Sequence, residues 1–259
     1  MPSTVMVADK SAASEPTKRM RRLGIAGGIA PVSTAFYYKR INDGVHAIMG
    51  GRHTAPLVIW SCDMHTVVDA EEREAWDEVG EELGRAVLAL QRAGCTAALL
   101  ACNSVHTAFA AAEEACTIPL LHIADAAADA AAARGLRTLG LLSHRHAAKD
   151  DDFFAARLAA RGLRVVLDEL RMREELHRII FDELVHERVA EADKRWFRGR
   201  VGALQQRGAE AVVIACTELT LLTGGADVMD GVPLLDRACC TRTRRSRSSR
   251  GTAHVDASR

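Results

Sequence analysis

Apolar and polar positions along the chain follow two patterns that together are typical of α/β proteins. Short apolar runs occupy 23–28, 56–61, 97–101 and 118–123, and each has the length of a buried β-strand. Between them lie stretches with apolar residues at helical spacing, of which 71–92 is the most strongly charged. We therefore predict parallel strands flanked by helices, with the charges of 71–92 on a solvated helix face.

The first predicted strand ends in Gly27-Gly28, and glycine allows the sharp turn that joins a strand to a helix. Ser33 and Thr34 then offer a cap for the next helix, which we expect to end before a Gly- and His-rich loop over 43–54. Gly-rich strand ends occur in many α/β folds, so this turn alone indicates no particular ligand.

The opening pattern recurs in the second half of the chain. The segment 137–143 repeats the basic and apolar residues of 21–27. A cysteine follows the first leucine of each segment at nearly the same separation, Cys102 after 79 positions and Cys216 after 77. The repeated segment and the cysteine that follows it at a matching distance indicate a duplicated α/β unit.

Cys102 and Cys216 each stand where an apolar strand gives way to small polar residues and helical sequence. The carboxyl ends of parallel strands are where α/β proteins bind ligands, and a following helix N-terminus attracts anions and lowers the pKa of a thiol. Cysteine is also among the most commonly buried residues, so packing alone would explain one of them. The second copy favours chemistry, because a thiolate on one side of a cleft could remove a proton from a carbon acid while a thiol on the other returns one.

The duplication divides the chain into four parts. We expect a disordered extension over 1–19, one α/β domain over 20–122, a second over 123–235 and a basic tail over 236–259. The tail lacks the apolar residues of a packed helix, although a one-base shift of reading frame over GC-rich codons would restore a helical pattern. Our hypothesis is a frameshifted C-terminus that replaces a helix, and a nucleic-acid-binding tail is the alternative.

Composition excludes several functional classes. The 259 residues include 34 basic and 34 acidic side chains, a balance that lacks the electrostatic footprint of a nucleic-acid-binding protein. No apolar run approaches the roughly 18 residues of a membrane span. The seven cysteines form no Cys-x-x-Cys pair, which argues against a disulfide framework or a zinc module. We expect a cytoplasmic protein that binds a small molecule and has no metal, membrane or nucleic-acid partner.

Four segments resemble the signatures of the aspartate/glutamate racemase family: LGIAGGIAPVST at 23–34, ACNSVH at 101–106, LHRIIFDEL at 176–184 and ACTEL at 215–219. The resemblance extends over about 20–236. It implies two pseudo-symmetric α/β domains, each a mostly parallel sheet flanked by helices, with the active site in the cleft between them. It also implies a homodimer that interconverts L- and D-amino acids without a cofactor.

The resemblance assigns roles by position. Cys102 and Cys216 become the acid/base pair that transfers the Cα proton. The residues expected to line the cleft and hold the amino-acid substrate are Asn103, Ser104, Thr217, Glu218, Gly28, Ile29, Ser33, Thr34, Ser143 and Arg173. For Arg173 the alternative is an ordinary surface charge, and His106 is either a supporting site residue or a structural histidine.

One departure bears on the substrate. Family members strict for aspartate are expected to carry an arginine shortly after the second strand, where this chain has Met64-His65-Thr66. We therefore expect a specificity broader than aspartate alone. A hydantoin racemase, a related cofactor-free isomerase or decarboxylase, and a catalytically impaired binding protein are the alternatives.

Overall fold

The computed structural model describes residues 20–143 and 153–236, so the predicted extension over 1–19 lies outside the described residues. Of the tail predicted over 236–259, only Asp236 is described, and it ends a strand rather than beginning a tail. The strands are β1 (Leu23–Gly27), β2 (Leu57–Ser61), β3 (Ala97–Leu100), β4 (Leu120–Leu121), β5 (Thr138–Leu142), β6 (Arg164–Leu167), β7 (Ala211–Ile214), β8 (Val228–Met229) and β9 (Val232–Asp236). The α-helices are α1 (Pro31–Met49), α2 (Met64–Glu72), α3 (Trp76–Arg92), α4 (Phe109–Glu114), α5 (Ile123–Ala132), α6 (Phe153–Ala160), α7 (Leu170–Arg178), α8 (Glu191–Gln206) and α9 (Thr220–Thr223).

The two sheets share one strand order. The first is entirely parallel, in the order β2-β1-β3-β4. The second runs β6-β5-β7-β9 in parallel, and β8 adds an antiparallel edge. The predicted α/β class and the two sheet-containing halves are confirmed. The domain boundaries themselves stay a prediction.

Helix packing repeats between the halves as well. A Cβ placed on Gly24 in β1 would lie 3.0 Å from the Leu90 side chain of α3. A Cβ placed on Gly140 in β5 would lie 3.1 Å from the Leu204 side chain of α8. In each half, the second strand in the sheet order carries a glycine, and the missing side chain lets a leucine of the covering helix pack close to the sheet.

Helices cover both faces of the first sheet. Tyr37 and Ile41 of α1 pack on one face together with Ile25. Leu83 and Leu90 of α3 pack on the other face. Because both faces are buried, the central strands are nearly continuous apolar runs rather than alternating ones.

Two predicted elements differ from those observed. The helix predicted over 71–92 is two helices, because the chain turns between α2 and α3 with Glu74 at a φ of 56°. The loop predicted over 43–54 begins too early, since α1 continues to Met49 and ends only where Gly50 adopts a φ of 66°. Polar residues on an exposed helix face were taken for a loop in that segment.

Among the residues that the structure describes, the helices are all too short or too polar to cross a lipid bilayer.

Candidate active site

The two cysteines occupy equivalent places in the two sheets. Cys102 lies two positions beyond the end of β3, and Cys216 lies two positions beyond the end of β7. In the shared strand order, β3 and β7 are the same strand. Cys102 is partly exposed, whereas Cys216 is 8% exposed. Both thiols therefore stand at carboxyl strand ends, where this fold class binds ligands.

The Cys216 thiol donates a hydrogen bond to a carboxylate. Its Sγ lies 2.8 Å from Oε2 of Glu218, and the Thr217 hydroxyl donates to the same oxygen over 2.9 Å. Cys216 and Thr217 are both buried. The Glu218 carboxylate therefore accepts from two neighbouring side chains and fixes the orientation of the Cys216 thiol.

Thr217 also joins the two halves of the molecule. Its Oγ1 lies 2.5 Å from Oγ of Ser33, in the first turn of α1. A cavity of about 120 Å³ is lined by residues of both halves, among them Phe36 of α1 and Thr220. The start of α1 and the loop that follows β7 therefore meet at the boundary between the halves.

The turn after β1 places Ser33 at this boundary. Thr34 does not cap the helix as predicted, because α1 begins earlier, at Pro31, and the Thr34 hydroxyl instead accepts a hydrogen bond from the Gly28 amide over 2.9 Å. Gly28 has a φ of 89°, and a Cβ there would lie 2.3 Å from the Cys62 carbonyl oxygen. Only glycine fits this turn. Ile29, which follows it, is buried in the first core.

Two buried polar side chains near the strand ends have no hydrogen-bond partner among the described residues. They are the amide of Asn103, which is 3% exposed, and the hydroxyl of Ser143 at the end of β5. Buried polar groups normally find a partner, and an unsatisfied one is costly. Both groups can donate and accept hydrogen bonds, which suits a small ligand that carries a carboxylate.

Both ring nitrogens of His106 are hydrogen-bonded to backbone groups. Its Nε2 accepts a hydrogen bond from the Ile123 amide over 3.3 Å, so Nδ1 carries the proton and donates to the Cys102 carbonyl oxygen over 2.8 Å. The ring is 3% exposed and stacks on Phe109 with their centroids 5.7 Å apart. This neutral tautomer ties the Cys102 loop to the start of α5.

Replacing His106 with leucine should lower the free energy of unfolding by on the order of 2 kcal/mol, because the Ile123 amide and the Cys102 carbonyl would stay buried without a hydrogen-bond partner. Urea unfolding followed by circular dichroism measures the change. His65→Leu is the matched control, since His65 is exposed and should leave the unfolding midpoint nearly unchanged. Equal midpoints for the two variants would contradict the structural role of His106.

Arg173 is buried in α7, at 8% exposure, so the alternative of an ordinary surface charge is wrong. Its predicted contact with a substrate carboxylate stays a prediction.

The segment Met64-His65-Thr66, where an arginine was expected for strict aspartate specificity, follows the helix cap Asp63. Asp63 caps α2 by accepting hydrogen bonds from the His65 amide and the Thr66 hydroxyl. The segment 64–66 therefore begins a helix and is exposed to solvent.

The five described cysteines form no disulfide. In the same part of the chain, no three His, Cys, Asp or Glu side chains are grouped as metal ligands would be.

A sequence model of the family described as Asp/Glu/Hydantoin racemase matches residues 26–241. The chain belongs to this racemase family. An Asp/Glu racemase candidate from Yersinia pestis is 32% identical, with a TM-score of 0.79, and the match covers 86% of this chain and 96% of that one. An aspartate racemase homologue from Pyrococcus horikoshii is 30% identical, with a TM-score of 0.72 and the same coverages.

The racemase fold is also shared with more distant proteins. The aspartate racemase of Picrophilus torridus is 17% identical, with a TM-score of 0.65 over 84% of this chain and 89% of that one. At this identity the likeness shows the fold alone.

The structure brings several of the expected racemase site residues into direct contact. The linked groups are Cys216, Glu218, Thr217 and Ser33 on one side, and Cys102 with Ser104, whose Oγ lies 3.4 Å from Sγ, on the other. Sequence reasoning missed Glu71, whose Oε1 oxygen is buried with no hydrogen-bond partner among the described residues. It was assigned to a solvated helix face, and helical periodicity carried no signal of its burial.

Proposed function

We propose that this protein is a cofactor-independent amino-acid racemase that uses Cys102 and Cys216 as a two-base pair at Cα. The observation that carries the proposal is the equivalent placement of these thiols at two carboxyl strand ends in a racemase-family fold. The contact between Ser33 and Thr217 supports it, because it joins the start of α1 to the loop that carries Cys216.

The proposed reaction needs only proton transfer. A Cys102 thiolate takes the proton from Cα, so the Cα–H bond breaks, an S–H bond forms and the electron pair moves into the substrate carboxylate. The Cys216 thiol then gives its proton to the opposite face of Cα and is left as a thiolate. The reverse direction exchanges the two roles, so each cysteine must serve as both acid and base.

Holding the substrate carboxylate is as important as moving the proton, because negative charge develops there when the Cα–H bond breaks. Asn103 and Ser143 can donate to it, since both are buried at strand ends without a partner among the described residues. Ser33, Thr34 and the Gly28-Ile29 turn complete the proposed lining on the side of β1.

We propose an aspartate/glutamate-like substrate range that is broader than aspartate alone. The segment that follows β2 carries Met64, His65 and Thr66 in place of the arginine expected in strict aspartate enzymes. The buried cation of Arg173 is the residue proposed to meet a side-chain carboxylate instead.

The test is solvent exchange at Cα. The purified protein in deuterium oxide should incorporate deuterium at Cα of an amino acid and produce its enantiomer, as measured by NMR and chiral chromatography over a panel that includes aspartate and glutamate. Incorporation with inversion of a hydantoin, or loss of carbon dioxide from a malonate, would instead support the alternative reactions of this fold. Absence of exchange across the panel would instead support the alternative of a catalytically impaired binding protein.

A further inference from the structure

The carboxylate of Glu218 has no cation beside it. The side chain is half-buried, and its Oε2 oxygen accepts hydrogen bonds from the Cys216 thiol over 2.8 Å and the Thr217 hydroxyl over 2.9 Å. Among the residues that the structure describes, Glu218 forms no ion pair, whereas Asp125 and Asp168 each pair with an arginine. Because a charge withdrawn from water normally needs a partner, this carboxylate can receive a positively charged ligand group.

The hydrogens of the neighbouring side chains are already committed. A hydroxyl has a single hydrogen, and Thr217 donates its hydrogen to Glu218. In the contact between Ser33 and Thr217, which is 2.5 Å long, Ser33 is therefore the donor and Thr217 the acceptor. Cys216 likewise donates its one hydrogen to Glu218. These four side chains thus offer a ligand lone pairs and a negative charge, but no hydrogen.

A group of acceptors without donors selects one kind of ligand atom. A ligand carboxylate also has lone pairs and a negative charge, so Glu218 would repel it. A protonated amine has three N–H donors and a positive charge, and hydrogen bonds between charged groups are roughly twice as strong as those between neutral groups. Both hydrogen bonds within the loop use Oε2 of Glu218, which leaves Oε1 for such a ligand.

We propose that Glu218 binds the α-ammonium group of the substrate and so determines specificity for amino acids. The inference rests on the proposed function, which places the substrate beside Cys216. The substrate carboxylate is assigned to Asn103 and Ser143, which can donate hydrogen bonds. Holding the two charged groups of an amino acid at different places restricts the orientation of Cα, as proton transfer requires.

The ammonium group would also assist the proposed proton transfer. When Cys216 acts as the base, it is a thiolate next to the Glu218 carboxylate, and two negative charges this close repel each other. A positive charge bound to Glu218 offsets that repulsion. A neutral hydantoin and an anionic malonate both lack such a charge, so this site disfavours them as substrates.

The test compares ligands that differ only at the amine. Wild type and Glu218→Gln are titrated by isothermal calorimetry with racemic aspartate, glutamate and alanine. The same proteins are titrated with the corresponding racemic 2-hydroxy acids, which are malate, 2-hydroxyglutarate and lactate. Each pair exchanges an ammonium group for a hydroxyl, and a racemic ligand keeps its composition even if the protein racemises it.

The expected result is a change in the ratio of the two dissociation constants of a pair. Wild type should bind the amino acid roughly 10–100-fold more tightly than the hydroxy acid, the usual effect of one hydrogen bond between charged groups. Glu218→Gln should reduce this ratio to about threefold or less, since only a neutral hydrogen bond remains. The glutamine carbonyl oxygen can still accept from Cys216 and Thr217, so the loop keeps its hydrogen bonds.

Two further variants separate recognition from folding. Glu218→Asp keeps the charge and should retain most of the preference for the amine. Glu187→Gln removes the same charge from an exposed position of the second half and should leave the ratio unchanged. A purely structural role for Glu218 would weaken both ligands of a pair equally, so the ratio would stay at its wild-type value in every variant.

Failure of this inference differs from failure of the proposed function, because binding requires no turnover. A wild type that prefers amines through Glu218 but exchanges no Cα proton refutes the racemase and keeps the inference. A wild type that racemises amino acids, with the same ratio in Glu218→Gln, overturns the inference alone. A wild-type ratio near one, or no binding of any amino acid in the panel, also overturns it.

Discussion

Alanine at Cys102 or Cys216 should lower the rate of racemisation by roughly 10²–10⁴-fold, because each change removes one of the two groups proposed to exchange a proton with Cα. The double variant should be about as slow as the slower single variant, since groups that act as a unit are not additive. Chiral chromatography of the product measures all three rates. Wild-type activity in either single variant would contradict the two-base assignment.

Cys116→Ala is the matched control for these variants. Cys116 is another partly buried thiol of the first half, and its Sγ lies 3.4 Å from the Ile118 carbonyl oxygen. It follows α4 rather than a strand end, so its replacement should leave racemisation within about twofold of wild type. A comparable loss in Cys116→Ala would mean that removing any buried thiol disables the protein through its fold.

Methionine at Arg200 should lower the free energy of unfolding by about 3–5 kcal/mol, the usual result of leaving one member of a buried ion pair alone. Arg200 on α8 donates two hydrogen bonds to Asp168, and the Asp168 side chain is 2% exposed. Without the guanidinium, the carboxylate stays buried with a single hydrogen bond from the Glu169 amide. Urea unfolding monitored by circular dichroism measures the loss.

Two controls identify the cause of that loss. Adding Asp168→Asn to the Arg200→Met chain should restore part of the stability, because the uncompensated charge is then removed. Arg73→Met breaks the ion pair with Glu78, whose side chain is 60% exposed, and should change the unfolding midpoint much less. A surface pair that mattered as much as Asp168–Arg200 would contradict the role of burial.

The sequence was sufficient to predict the α/β class, the two halves and the strand-end cysteines, because each depends on local periodicity. An apolar run of strand length followed by a small polar residue marks the carboxyl end of a buried strand, and both Cys102 and Cys216 lie at such points. The duplication reinforced this result, since the same order of elements appears twice.

The periodicity of apolar residues does not predict contacts between segments that are distant in the sequence. Ser33 and Thr217 are 184 positions apart, and their hydroxyl contact depends on how the halves dock. The chain turns at Glu74, between α2 and α3. A glutamate within a charged helical pattern gives no sign of such a turn, and His106 likewise gave no sign of its bond to Ile123.

The two sulfurs have unlike neighbours, a hydroxyl beside Cys102 and a carboxylate beside Cys216. Mirror-image amino acids nevertheless have equal free energies in water, so this asymmetry cannot favour either product at equilibrium. For a racemase it can be expressed only as a higher turnover number in one direction, offset by a proportionally higher Michaelis constant for that enantiomer. The final mixture must contain equal amounts of both enantiomers, whichever thiol is the stronger base.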